Sequence, residues 1–302
     1  MASACAITDS QLLERLMLSD EAFVDYFLEL VSHFPAREWT RRSFEHGLRY
    51  PWTRPDGSYL LRDGEAHLLH ELDEGERAAI LERHLGPAAG RAALLAFGSN
   101  VAPKNLAVKV AHHASLEDRE ILVLAGDLHD LDVVACAAIA VYGAMPATLA
   151  ASPGTSVRAA VMLVNATQLT TLTWGEMTYL IGRLHGARFT VEDGLHEVEL
   201  ASPLAFVSRW GAFAPDGAAA SLAAIPATGR RTRAWSQREL VDRAADLALG
   251  PDGGGAEALI RIGFRDVGAM AARILPALRP YAQPLQFPGW TPIAPDGTLP
   301  PG

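Results

Sequence analysis

The pattern of apolar and polar positions divides the chain into a helical front, a strand-rich middle and a helical back. At the front, Phe23, Phe27, Leu30 and Val31 recur at the intervals that place side chains on one face of a 3.6-residue turn. Ser19 stands ahead of them as a helix cap, Thr8 and Gln11 have the spacing of a capping box for an earlier helix, and Pro35 marks the stop. Pro55-Asp56-Gly57 reads as a turn, and Asp73 with Glu76 opens another helix that closes at Gly86-Pro87. From Ala92 short apolar runs take over. Ala93-Leu94-Leu95-Ala96-Phe97 enters Gly98-Ser99-Asn100 as a buried strand enters a loop, and Pro103 suits the first turn of a helix.

Further strands are predicted over residues 121–125, 133–140, 147–151 and 157–164. Asn165-Ala166-Thr167-Gln168 then starts a helix, and shorter strands are predicted over 188–191, 196–200, 205–209 and 222–225, with Ala214-Pro215-Asp216-Gly217 turning between the last two. Ser236 and Glu239 form a capping pair for a helix, Gly253-Gly254-Gly255 is a hinge, and residues 256–278 read as one more helical stretch before a tail rich in Pro and Gly. The expected organisation is a helical extension over 1–91, a β-rich domain over 92–235, and a helical extension with its tail over 236–302, without internal repeats.

Composition narrows the classes. A chain of 302 residues, 49% hydrophobic and 20% charged, can bury a sizeable core and is neither fibrous nor disordered as a whole. A net charge of -9, with Lys104 and Lys109 as its lysines, argues against gripping a nucleic-acid backbone. Residues 133–157 carry no charge and are long enough to span a bilayer, but Pro146 and the turn-like Ser152-Pro153-Gly154-Thr155 favour buried strands, so no membrane partner is expected. Asp9, Glu14 and Arg15 interrupt what would be the apolar core of a signal peptide. Cys5 and Cys136 cannot alone make a disulfide framework or a zinc cage, which points to a reducing, cytoplasmic setting.

Several clusters could carry chemistry. Asp127, His129, Asp130 and Asp132 offer four hard-metal ligands, yet their spacing fits neither a calcium loop nor a helical zinc pair, and a solvated loop is expected. His112 and His113 are adjacent and point different ways on a helix. Gly253-Gly254-Gly255 lacks the Lys-Ser/Thr of a phosphate loop, and Ser99 lacks the Gly-x-Ser-x-Gly elbow of a serine hydrolase. Gly98-Ser99-Asn100, by contrast, could aim successive backbone N–H groups at a carboxylate or an oxyanion, with the start of the next helix adding its positive end. Lys104 and Lys109 in that helix are read as surface charges, and Trp174, Trp210 and Phe213 as core or pocket wall.

Three pieces in fixed order carry a resemblance. Leu94-Leu95-Ala96-Phe97-Gly98-Ser99-Asn100 comes first, then Pro146-Ala147-Thr148-Leu149-Ala150-Ala151-Ser152-Pro153-Gly154-Thr155-Ser156-Val157, then a strand, a helix and Leu172-Thr173-Trp174-Gly175-Glu176. Together they resemble the γ-glutamylcyclotransferase family, over residues 92–225. Phe97 stands where the family usually has tyrosine, Thr173 where it has aspartate, and Met177 where it has glycine.

The resemblance implies a small mixed β-barrel in the middle of the chain; with the flanking N- and C-terminal helices read above, which have no counterpart in the minimal family domain, the expected fold class is α+β. The resemblance also implies cyclisation of a small-molecule γ-glutamyl amide to 5-oxoproline with release of a free amine, Glu176 as catalytic general acid and base, and Phe97, Gly98, Ser99 and Asn100 as the substrate cradle. No metal or other cofactor is required. The helical flanks are candidates for a lid or for a homodimer contact. Such a reaction suits a carboxylate sheltered at the end of an apolar segment. The α-amine and the γ-carbonyl lie in one molecule, and holding them together can supply about 7–11 kcal/mol of the barrier. Proton transfer by one carboxylate is worth roughly 10²–10⁴ in rate. Two alternatives share the same scaffold: a non-catalytic binding or assembly module, and an amide hydrolase in which the carboxylate activates water.

Overall fold

The structure, a computed structural model, describes residues 6–86, 89–192 and 199–300. The front of the chain forms α1 (Ser10–Met17), α2 (Asp20–Ser32), α3 (Arg41–Leu48), β1 (Tyr59–Arg62), β2 (Glu65–Leu68) and α4 (Glu74–Leu85). The middle begins with β3 (Ala92–Ala96), α5 (Pro103–Val110), α6 (Leu116–Arg119), β4 (Ile121–Ala135), β5 (Ala147–Val164) and α7 (Ala166–Gly175). It continues through β6 (Tyr179–Leu184), β7 (Arg188–Val191), β8 (Glu199–Ala201), β9 (Leu204–Ser208), β10 (Ala212–Phe213), β11 (Ser221–Leu222), β12 (Ala227–Thr228) and β13 (Ala234–Trp235). The back holds α8 (Gln237–Leu249), α9 (Gly255–Arg265), α10 (Val267–Leu278), β14 (Ala282–Gln283) and β15 (Trp290–Pro292).

Helices, one large mixed sheet and a separate antiparallel pair of β10 and β14 make up the fold. The main path through the sheet is β13-β11-β4-β5-β3-β9-β6-β15, with β3 and β9 parallel and the long β4–β5 ribbon antiparallel. This pairing path is open, and a single bridge between Cys136 and Ala212 links the end of β4 to the segment after β9. Neighbouring residues alternate between two cores, as a two-residue period requires. Leu95, Leu122, Leu124, Val161 and Leu163 pack on one side with residues of α3, α8, α9 and α10. Leu94, Ile121, Val123, Ala160 and Met162 pack on the other with residues of α1, α5 and α7. Burial on both faces explains why β3 and β4 read as continuous apolar runs.

The strands expected at 121–125 and 133–140 lie in one element to Ala135, and those expected at 147–151 and 157–164 in another. The Ser152-Pro153-Gly154-Thr155 stretch does not end β5. It occupies the register shift between His129 and Leu131, where proline's missing N–H costs no ladder bond. Asp130 turns through φ 61 there, and its carboxylate accepts the Gly154 N–H at 2.9 Å.

The solvated loop expected at Asp127–Asp132 is therefore corrected: those residues belong to β4. Asp132 is buried and accepts from Arg230 Nε and Nη2, both at 2.9 Å, and from Ser221 Oγ at 2.6 Å. The acidic density that suggested solvent contains a buried structural ion pair.

Other boundaries moved for local reasons. Asp9, not Thr8, caps α1, accepting the Leu12 N–H at 3.0 Å. The single helical stretch expected over 256–278 breaks at Asp266, whose φ of -156 is extended and whose side chain caps α10 through Ala269 N at 2.8 Å. Residues 1–91 contain more than helices. Asp63 and Gly64, at φ 51 and 83, close a two-residue hairpin between β1 and β2, and β1 pairs with β4. The strand expected at 196–200 lies mostly outside the described residues; β8 begins at Glu199. Among the described residues, no helix is long and apolar enough to cross a membrane.

Candidate active site

The site is built where β3 ends and α7 ends. After Ala96 the chain passes Phe97 and Gly98 into a single 3-10 turn, Ser99–Val101, and α5 begins directly behind it with Pro103 in its first turn. Gly98 is required by close approach: a Cβ there would lie 2.5 Å from the Tyr50 hydroxyl, which itself accepts the Ala147 N–H at 2.9 Å. Arg54 donates to the Phe97 carbonyl, and burial lowers the Arg54 pKa to about 10.

The start of α7 is fixed by a full capping box between Asn165 and Gln168. The buried Gln168 amide also donates to the carbonyls of Glu117 (3.1 Å) and Glu120 (2.8 Å). The end of α7 is held from outside by α1. Arg15 donates to the Thr173 carbonyl at 2.7 Å, and the Trp174 indole N–H donates to Asp9 at 2.9 Å. Glu176 is the C-cap residue of α7, its N–H directed at the carbonyls of Leu172 and Thr173. A helix anchored at both ends thus delivers one carboxylate to a fixed point.

That point faces the strand-end turn. Glu176 Oε1 accepts from Lys109 Nζ at 2.7 Å and from Asn100 Nδ2 at 3.1 Å, while Lys109 Nζ also donates to Asn100 Oδ1 at 2.7 Å. The three side chains close a triangle. The Glu176 side chain is 16% exposed and that of Lys109 23%, so the ion pair is sheltered yet reachable. Among the described residues both hydrogen bonds to the carboxylate fall on Oε1, which leaves Oε2 for a further donor.

A cavity of about 420 Å³ opens beside the pair, within the range usual for small-molecule sites. Ser99, Asn105, Lys109 and Glu176 supply polar and charged lining. Tyr50, Trp52, Tyr142 and Tyr179 form an aromatic flank, with the Tyr50 and Tyr142 rings stacked at 5.8 Å and Trp52 tilted against Tyr142 at 5.1 Å. Trp210, Phe27 of α2 and the inner face of α10 complete the wall. Lys109 and Glu176 are its charged members.

Burial raises the hydroxyl pKa values of Tyr50, Tyr142 and Tyr179, and the negative charge of Glu176 adds to the effect in each. The Cys136 thiol, which meets the Tyr179 hydroxyl at 3.1 Å, is pushed up to about 12, chiefly by burial. These groups stay neutral near pH 7 and can hydrogen-bond without adding charge.

Of the residues expected from sequence, Glu176 and Ser99 line the cavity, Asn100 holds the carboxylate, and Gly98 permits the tight approach of Tyr50. Phe97 packs in the core instead of lining the cavity. Lys109, expected as a surface charge, is the ionic partner of Glu176. Asn105 and Lys109 stand four apart on α5, the spacing that puts two residues on one helical face. That spacing was the available signal, whereas Tyr50, Trp52 and Tyr142 gave none, because they come from the front extension and from the β4–β5 connection. Trp210 lines the cavity and Phe213 is core, while Trp174 is half-buried and tied to Asp9. His113 lies beyond the end of α5 and meets Thr171 Oγ1 of α7 at 2.9 Å.

No family model, curated protein or solved structure matches this chain. Its chemistry therefore has to be argued from the cavity.

Proposed function

We propose that the protein cyclises a γ-glutamyl amide to 5-oxoproline with release of an amine, on a γ-glutamylcyclotransferase-like barrel. The observation that carries this reading is the Lys109–Glu176 ion pair in a cavity whose other described lining residues are uncharged, with Asn100 of the strand-end turn bonded to both partners. A γ-glutamyl group ends in an α-ammonium and an α-carboxylate. Lys109 matches the carboxylate and Glu176 the ammonium, so a pair that neutralises itself can exchange partners with a zwitterion at little cost in unpaired charge.

In the proposed reaction Glu176 takes one proton from the α-ammonium. The freed amine attacks the γ-carbonyl carbon, forming the ring C–N bond and placing negative charge on the carbonyl oxygen. In this reading backbone N–H groups of the Gly98–Asn100 turn, whose Ser99 lines the cavity, receive that charge. The protonated Glu176 then gives its proton to the amide nitrogen, the γ C–N bond breaks, and the ring nitrogen returns a second proton to Glu176. That proton leaves with the departing amine, which is released as an ammonium ion. Carbon, nitrogen and charge balance without water, metal or redox partner.

Supplying the protein with a set of γ-glutamyl amides and following 5-oxoproline tests the reading. Lys109→Met is expected to raise KM about 10- to 100-fold, the loss of one charge-assisted hydrogen bond, with a smaller change in kcat. An unchanged KM would remove Lys109 from substrate binding. The competing reading, a binding module, is favoured by the direct contact between Lys109 and Glu176, which engages the carboxylate before any ligand arrives. Its mark would be saturable binding of the same amides without product.

A further inference from the structure

We infer that the amine released by this site carries an apolar aryl-alkyl or alkyl group with no charged group beyond the amine itself, in place of an amino acid or a peptide. The inference rests on the cyclisation reading and concerns what occupies the rest of the cavity. Its charged lining residues are Lys109 and Glu176, and a γ-glutamyl zwitterion uses both. Beside Ser99, Asn105 and the aromatic flank, the wall includes the apolar side chains of Phe27, Trp210, Met270, Ala271, Ile274 and Leu275, contributed by α2, the turn after β9 and α10. Phe27 and Trp210 meet edge-on at 5.7 Å, so this wall is preformed by aromatic packing.

A leaving group that ends in a carboxylate, as the glycine of glutathione does, would enter this arm and meet no cation among its described lining residues. Burying an unpaired carboxylate is far more costly than burying an aromatic ring is favourable. The arm therefore selects by rejection as well as by fit. α10 belongs to the C-terminal extension, which gives that extension a role in specificity.

The test compares kcat/KM for γ-glutamylphenethylamide and γ-glutamylglycine, reading 5-oxoproline from both. The wild type is expected to favour the aryl amide by about 100-fold. Leu275 is half-buried on the cavity side of α10 and accepts change more readily than its buried neighbours. Leu275→Lys is expected to narrow the ratio at least tenfold by helping γ-glutamylglycine. Leu275→Ala is expected to lower turnover of the aryl amide without helping γ-glutamylglycine, and it decides the matter if the lysine variant does not fold. Equal or faster turnover of γ-glutamylglycine by the wild type, or a ratio unmoved in Leu275→Ala, would overturn the inference and leave cyclisation standing. If neither amide yields 5-oxoproline, the cyclisation reading fails and the inference with it.

Discussion

Glu176→Gln is expected to lower 5-oxoproline release by roughly 10²–10⁴, the contribution typical of one general acid-base group. The substitution keeps side-chain size and an oxygen that can accept from Asn100 and Lys109, the two donors now meeting Oε1 at 3.1 and 2.7 Å. What it removes is the ability to hold a proton between ammonium and leaving amine. It also removes the negative charge facing Lys109, so weaker substrate binding accompanies the loss of rate. Because the helix carrying Glu176 is fixed by Asn165, Gln168, Arg15 and Asp9 rather than by the carboxylate, thermal unfolding should shift little. Steady-state kinetics and a melting curve on one preparation separate the two effects. Turnover retained within a factor of about three would rule Glu176 out as the proton carrier.

The second large effect lies away from the site. Asp132→Ala should destabilise the fold by about 3–5 kcal/mol, since it strands a partly buried guanidinium that now has two bonds to the carboxylate. Asp132 is 2% exposed at its side chain and Arg230 12%, and Asp132 also accepts the Val133 N–H at 2.8 Å. The pair links β4 to β11 through Ser221 and to the carbonyl of Ile225 through Arg230 at 3.1 Å. Urea unfolding would show the midpoint falling with an unchanged slope. Replacing both partners with apolar residues should recover much of the loss, because desolvation offsets most of what a buried pair gains. A shift below about 1 kcal/mol in Asp132→Ala would mean that water reaches Arg230 readily.

The features legible in the sequence were those set by residues close together along the chain. Ser19, Asp73, Asn165 and Ser236 each cap a helix through a donor three residues ahead, and each sits where the spacing puts it. The run 93–97 and the proline at 103 likewise located β3 and α5. Partners far apart in the chain escaped. Lys109 lies 67 residues from Glu176 and Arg230 lies 98 from Asp132, and neither lysine nor arginine announces which carboxylate it will meet. The same blindness hid the aromatic flank, since Tyr50 meets partners as distant as Ala147, 97 residues on. It also hid β1 and β2. Four-residue strands in a polar context gain their stability from β4, to which β1 pairs, and carry little signal of their own.

Isotope-labelled water separates the possible fates of the amide bond. With a γ-glutamyl amide of an apolar amine in ¹⁸O water, attack by the substrate's own amine predicts 5-oxoproline that carries no solvent oxygen, formed in step with the free amine. Glutamate bearing one ¹⁸O would instead mean that water is the nucleophile, and absence of any product with bound substrate would mean that the cavity only binds.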